Sequence, residues 1–492
     1  METTRPAVLD RIPYRFAGLI AAVLLICFAI VQGLRFTSVL PVSNADEMLG
    51  SHLGHGSHLL RYIYFALPLT LLPLMGRGLI SRVGSCPRRW IPLVAALSAY
   101  WWLFTPLFCL YGMSLLVLLA VADLLKERRD LIRPTAFHWT WLAFGSLLLI
   151  GMLWGSSDYA WQTGRVRIVL TAFPLITCLY RPTRAEVVRF LILTARLFML
   201  YLAFNLVVYL FYTAALDKSV FSALTFDKYY LSTEQTPFIC YRLLLSWAGS
   251  IQPTFAMWLM ATVWLCHLWM WRKGNLGLSR CELSLYFSMM VGYSFLHQTR
   301  YGLLIVVVSG LLCLFYVFSF NYRFSFRQRV LWVSGFFAFI LLVLGGMLYL
   351  RPSFWQDGIR MQIFEGWKTY YLDRWLLGWG TGGELSKLGV RHLHNDFLST
   401  LFSYGLLGLL VLLVWIGSWA CRVLRTRNVV LSALGLTTLA LMCIDGPLYS
   451  PFGVNALCLL LLFYPHAPSI PVGEATTSCD HGADRGSRML DR

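Results

Sequence analysis

His394 and Asn395 stand together; nine residues then separate them from Gly405, and two more from Gly408. Imidazole is the side chain that exchanges protons near neutral pH, so this is the first place to look for chemistry. The apolar run 397–421 that follows is long enough to cross a hydrocarbon core of ~30 Å at ~1.5 Å per residue. The pair therefore falls where a helix begins. There the helix dipole disfavours the imidazolium, and a ring kept neutral near pH 7 can accept a proton. Asn395 or Asp396 is expected to cap the helix. Gly405 and Gly408, about one turn apart on one face, are expected to let it pack closely against a neighbour and so fix the depth of His394. The alternative for His394 is a solvated loop side chain.

The arginines supply the other half of a possible site. Arg300, in the segment HQTRYGLL, sits between two apolar runs with almost no room for a loop. A charge at such a boundary is costly unless paired, so it either snorkels to lipid phosphate or forms a fixed anion clamp, the guanidinium fork matching phosphate oxygens. Arg242 ends a polar loop and could reach the same place; the spacing of Arg165 and Arg167 does not separate them from ordinary snorkelling. Arg196, near a span end, is expected to snorkel, and Asn205 to bond between helices. Two arginines and the His394 loop on one membrane face would make a site for a lipid-borne anion beside a proton acceptor.

Other motifs point elsewhere or nowhere. His52, His55 and His58 recur near Asp46 and Glu47, but read better as an exposed stretch than as metal ligands. Gly378, Gly380, Gly382 and Gly383 follow no strand, so they predict a tight turn rather than a dinucleotide loop. The cysteines show no CxxC pair and no metal-ligand spacing. P-loop, HExxH and GxSxG motifs are all missing, and no metal or other cofactor is expected.

The elements that must hold these residues are membrane spans. Of 492 residues, 58% are hydrophobic and only 13% charged, with a mean hydropathy of +0.65. A soluble domain carries about 25% charged residues. The net charge of +18 sits in short clusters between apolar runs, which reads as topology-setting charge and not as a nucleic-acid surface. Assigning sides by these clusters gives a consistent alternation. Arg77, Arg82, Arg88 and Arg89, then Lys126, Arg128, Arg129 and Arg133, then Arg181, Arg184 and Arg189 mark the cytoplasmic side. So do Arg272, Lys273 and Arg280, then Arg323, Arg327 and Arg329, then Arg422, Arg425 and Arg427.

The expectation is an all-α polytopic membrane protein of about 12–14 transmembrane helices. Residues 1–350 would form a bundle with short loops, including a periplasmic loop at 213–246. The run 16–31 would be an uncleaved first span, and 90–123 two spans broken near Thr105-Pro106 or Gly112. Residues 351–396 would be a large periplasmic loop leaning on the bilayer surface with Trp and Tyr at headgroup level. Residues 397–465 would hold the last spans, with the run 429–444 opening a final hairpin, and 466–492 a disordered cytoplasmic tail.

With these residues in view, the chain resembles the O-antigen ligase and O-antigen polymerase superfamily of bacterial envelope enzymes. The ligase motif is His, then Asn, Ser or Gln, nine residues, Gly, two residues, and Gly, Thr or Tyr; His394, Asn395, Gly405 and Gly408 satisfy it. Arg300 with Leu304 matches a second feature, and Arg360 with Gly378 and Gly380 a third. Arg242 upstream of Pro253 matches a further outer-loop arginine, while Gln252 stands where many members have His.

The resemblance implies a metal-independent, inverting glycosyltransferase of the GT-C type in the bacterial inner membrane, its active site facing the periplasm. The donor would be a glycan on undecaprenyl diphosphate, and the acceptor a lipid A core sugar. Arg300, Arg242 and Arg360 would bind the diphosphate, His394 would take the acceptor proton and Asn395 would orient the acceptor. A polymerase joining two lipid-linked glycans would use the same chemistry. A lipid-linked oligosaccharide flippase or transporter would instead carry its polar groups near the midplane.

Overall fold

A computed structural model describes residues 87–103, 106–127, 133–155, 178–180, 182–215, 253–272, 277–297, 358–390, 393–426 and 429–449, with scattered single positions besides. The expected spans at 16–31, 59–75, 166–179, 301–320, 331–350 and 452–463 lie outside these residues or touch them only singly. So do the tail 466–492, Arg242, Arg300, the three-histidine stretch and, beyond Ala215, the loop 213–246.

Every regular element among the described residues is helical. In chain order they are α1 (Ile91–Trp102), α2 (Pro106–Glu127), α3 (Ala136–Ile150), α4 (Arg184–Ala215) and α5 (Pro253–Arg272). There follow α6 (Arg280–His297), α7 (Gly358–Tyr371), α8 (Gly383–Leu388), α9 (Asp396–Thr426) and α10 (Val429–Ile444). Proline opens α2 and α5, where its missing N–H is one the first turn does not use. The expected break in 90–123 therefore falls at Pro106. Gly112 breaks nothing; it lies within α2 where a Cβ would strike Ser98 of α1, so it sets how closely those two helices approach.

Three helices begin on reciprocal caps. Thr183 and Glu186 satisfy each other's backbone N–H at the start of α4 (3.3 and 2.6 Å), Ser279 and Glu282 do so at α6 (3.2 and 2.9 Å), and Thr135 with His138 at α3. Two of these capping acids also hold arginines from other helices. Glu186 takes Arg88 at 2.6 Å, with Asp123 at 3.6 Å and the Tyr180 ring under the guanidinium, and Glu282 takes Arg196 at 3.1 Å. Burial works against the Arg88 charge, but the bond to Glu186 and the nearby Tyr180 and Asp123 outweigh it and raise its pKa further. Arg196 is thus a paired residue and not the snorkelling one its position suggested. Asn205 likewise bonds the Tyr201 carbonyl of its own helix (2.9 Å) rather than a neighbouring one.

Glu186→Ala removes a cap and the principal partner of a guanidinium whose side chain is 13% exposed. Such losses cost about 3–5 kcal/mol. A thermal-unfolding scan in detergent should show a clear drop in midpoint, and an unchanged midpoint would contradict this account of the end of the bundle.

Helix directions follow from the contacts. Phe137 meets Trp419, Trp141 meets Trp415 and Gly151 approaches Tyr404, so α3 and α9 run antiparallel. Trp264 bonds the Leu283 carbonyl and Tyr286 the Met260 carbonyl, so α5 and α6 are antiparallel too. Arg196 with Glu282 and Tyr201 with Tyr293 make α4 and α6 parallel. Within each set these directions agree with the alternation assigned from charge: the starts of α1, α4 and α6 share an end with the ends of α2 and α5, and the start of α3 shares one with the end of α9. The start of α9 lies beside the end of α3.

Large aromatics fill the interior, Trp102, Trp141, Trp258 and Trp415 among them. The outside carries apolar side chains too: Tyr111, Leu115, Leu118 and Leu125 on α2, and Leu407, Leu410, Leu413 and Val414 on α9, are exposed at helical spacing. Two helical segments among the described residues, Ala136–Leu153 and Asp396–Arg422, are long and apolar enough to cross a membrane.

Candidate active site at the start of helix α9

Three consecutive residues reach across from the start of α9 to the turn that ends α10. His394 Nδ1 lies 3.1 Å from Asp445 Oδ1, Asn395 Nδ2 donates to the Cys443 carbonyl at 2.9 Å, and the Asp396 carboxylate accepts the Leu448 N–H at 3.1 Å. A second layer fixes this clamp. Asn395 Oδ1 accepts the Leu398 N–H (3.0 Å) as the helix cap, Ser399 Oγ takes the Leu393 N–H (3.2 Å), and Tyr449 donates to Thr400 Oγ1 (2.9 Å).

His394 is the one non-glycine residue among those described with a positive φ, 53°. That conformation costs on the order of 1 kcal/mol or more and persists only where the surroundings fix it. Here the contacts on either side of His394 hold it. The bend turns the imidazole out of the helix line and onto Asp445.

A carboxylate only accepts hydrogen bonds, so Nδ1 carries the proton of this pair and the lone pair of the neutral ring lies on Nε2. The Asp445 side chain is 7% exposed and that of His394 32%. The carboxylate oxygen is itself held by the Gly446 N–H at 2.9 Å. A half-buried imidazole oriented by a buried, anchored carboxylate is the arrangement of a general base with its orienting partner.

Asp445 was invisible in the sequence reading. Its signal is slight: the first acid after the apolar run 429–444, inside a Gly-Pro turn, on the side to which that run was assigned. Of the two expected caps, Asn395 is the one that bonds the first turn. Its Oδ1 caps the helix and its Nδ2 ties it to the Cys443 carbonyl of α10, which positions His394 beside Asp445.

Gly405 departs further from expectation. With φ 63° and ψ −164° it breaks α9 into two helical parts. That region is essentially closed to residues with a Cβ. The break frees backbone groups, and the loop before α8 satisfies them. Trp379 and Gly380 N–H donate to the Phe402 and Ser403 carbonyls (3.0 and 2.7 Å), while Leu406 and Leu407 N–H donate to the Trp375 and Leu376 carbonyls (2.8 and 3.3 Å). Gly378, Gly380 and Gly382, all at positive φ, make the expected tight turn that lets two backbones come this close. Thr381 ties the knot to the end of α3 through the Gly151 carbonyl (3.1 Å) and bonds Tyr404 Oη (2.9 Å). A Cβ on Gly408 would meet Tyr404 of its own helix. The two glycines therefore do not form a face for a neighbouring helix; both accommodate the chain's own fold.

The segment 351–396 contains α7, a 3₁₀ turn at Leu372–Arg374 and α8. Arg360 stands in the first turn of α7, and Phe364, Trp367 and Tyr371 stack along that helix at 5.7 and 4.8 Å. Of the residues singled out for chemistry, the structure thus brings His394 and Asn395 onto one clamp with Asp445, and links them to Gly405 and Gly408 through α9. Among the described residues no group of three His, Cys, Asp or Glu is arranged to hold a metal ion. Comparison with protein-family models and with curated proteins finds no match for this chain.

Proposed function

We propose that this chain is a multi-pass membrane glycosyltransferase of the O-antigen ligase kind, moving a glycan from undecaprenyl diphosphate to a lipid A core sugar at the periplasmic face of the bacterial inner membrane. The observation that carries the reading is the His394–Asp445 pair at 3.1 Å, standing on the motif whose Gly405 breaks the same helix. A polytopic membrane setting is supported by the exposed apolar stripes on α2 and α9, by the two span-length segments, and by helix directions that match the charge alternation.

Length supports the height of the site. The Asp396–Arg422 segment has 27 residues, about 40 Å at ~1.5 Å per residue against ~30 Å of hydrocarbon. With Arg422 at the inner boundary, the outer boundary falls close to the break at Gly405. His394 and Asp445 then stand roughly 10 Å above it, level with or just beyond the headgroups. That is where the diphosphate of a polyprenyl-borne sugar lies.

In the proposed reaction Nε2 of His394 takes the proton of the acceptor hydroxyl as its oxygen attacks the anomeric carbon. The bond from that carbon to the diphosphate oxygen breaks, the electron pair leaves with the diphosphate, and configuration inverts. Arg300, Arg242 and Arg360 are assigned to the growing negative charge, where fixed guanidinium groups lower the barrier. The energy is stored in the donor, so neither ATP nor a metal is required.

Purified protein in detergent, given a lipid-diphosphate glycan and a core acceptor with chelator and no nucleotide, should transfer sugar. A strict need for added divalent metal would overturn the mechanism. In cells, a disrupted gene should remove all glycan-capped lipopolysaccharide; retention of core plus a single repeat would identify a polymerase instead.

A further inference from the structure

The 3₁₀ turn and the residues after it expose large apolar side chains close together: Leu372 is 73% exposed, Trp375 49%, Leu376 50% and Leu377 55%. These are not stray surface residues, because their backbone is bonded into the break of α9. The Trp375 and Leu376 carbonyls take the N–H groups of Leu406 and Leu407, and Leu407 opens the exposed stripe that continues through Leu410, Leu413 and Val414. The tip and the stripe therefore form one continuous apolar surface. Beside the tip, Arg374 and Lys387 lie over the ring of Trp379 at 4.7 and 4.5 Å, cations flanking an indole next to exposed leucines. Basic and aromatic groups of this kind mark the boundary between acyl chains and anionic headgroups.

Resting on the membrane reading above, we infer that the side chains of Leu372, Trp375, Leu376 and Leu377 are inserted past the headgroups into the acyl chains of the leaflet on the His394 side, with Asp373 and Arg374 left at headgroup level. Because the loop is bonded to the break in α9, this insertion acts as a depth stop. It fixes the height of the His394–Asp445 pair above the hydrocarbon and so sets where the diphosphate of a membrane-held donor must lie. The occupant is phospholipid acyl chain, chosen by the continuity with the α9 stripe and by the adjacent cations.

The full chain, reconstituted in nanodiscs of phosphatidylethanolamine and phosphatidylglycerol, would be photolabelled with a phospholipid bearing a diazirine on its acyl chain, and the labelled peptides identified by mass spectrometry. The 372–377 peptide should be labelled to within about threefold of the 407–414 peptide, as a tip at comparable depth requires. Label on 407–414 with none on 372–377 would overturn the inference while leaving the membrane reading intact; label on neither would overturn both. As a functional check, the double variant Leu376→Asp, Leu377→Asp keeps the backbone bonds. It should slow transfer from a long-chain polyprenyl donor by about tenfold or more, the effect of ~1.4 kcal/mol, and leave transfer from a short, water-soluble prenyl donor unchanged. Equal rates with both donors in variant and parent would contradict the depth-stop role.

Discussion

His394→Ala is expected to lower the rate of glycan transfer by roughly 10²–10⁴-fold, the usual contribution of a positioned general base, with little change in yield of folded protein. The imidazole is 32% exposed and bonds the Asp445 carboxylate just past the end of α10, while the cap on Leu398 and the ties to α10 and the turn after it are made by Asn395 and Asp396 and stay in place when it is removed. The alanine also adopts a positive φ less readily than a short polar residue, which argues for His394→Asn as a companion variant. Both should bind the lipid donor nearly as well as the parent, because the acceptor proton is transferred only in the bond-making step. Turnover of either variant close to that of the parent would remove His394 from the chemistry.

The second large effect falls on folding. Gly405→Ala places a Cβ against the Leu376 carbonyl and the Leu377 nitrogen at a backbone conformation open to glycine alone. Relief would require expelling the 375–380 loop, which would leave the Phe402 and Ser403 carbonyls and the Leu406 and Leu407 N–H groups without the partners that satisfy them in the break. Each such loss costs about 1–3 kcal/mol, so the variant should fail to accumulate as a folded, monodisperse protein in detergent. Gly417→Ala on the same helix meets nothing within 4 Å and should accumulate normally. If Gly405→Ala behaved like Gly417→Ala, the knot between the loop and α9 would not be the element that holds the site.

The break that starts α2 was legible because it depends on local chemistry. Pro106 opens a helix where proline fits best, as the expected break required, whereas the Thr183/Glu186 and Ser279/Glu282 caps, though just as local, were not read from the sequence. The position of His394 at the start of α9 was legible for the same reason: a polar pair immediately before a long apolar run. The break at Gly405 was not, since hydropathy continues unchanged through it and the partner that stabilises it comes from the loop before α8. Asp445 was hidden more completely. An acid before Gly-Pro reads as an ordinary turn, and what makes it an orienting group is its approach to His394, 51 residues earlier in the chain. Arg196 was misjudged because the partner of a charge in a helical bundle sits on whichever helix packs beside it, and Asn205 because its amide bonds a carbonyl one turn back in its own helix.

On the proposed mechanism His394 and Asp445 act as one unit in moving the acceptor proton. A double-mutant cycle on kcat, using His394→Ala, Asp445→Asn and the two together, measures that coupling. Asp445→Asn should cost roughly 10- to 10⁴-fold, the range for carboxylates that orient a working histidine, and should have no further effect once His394 is alanine. Effects of the two substitutions that multiply, or an Asp445→Asn enzyme as fast as the parent, would contradict it.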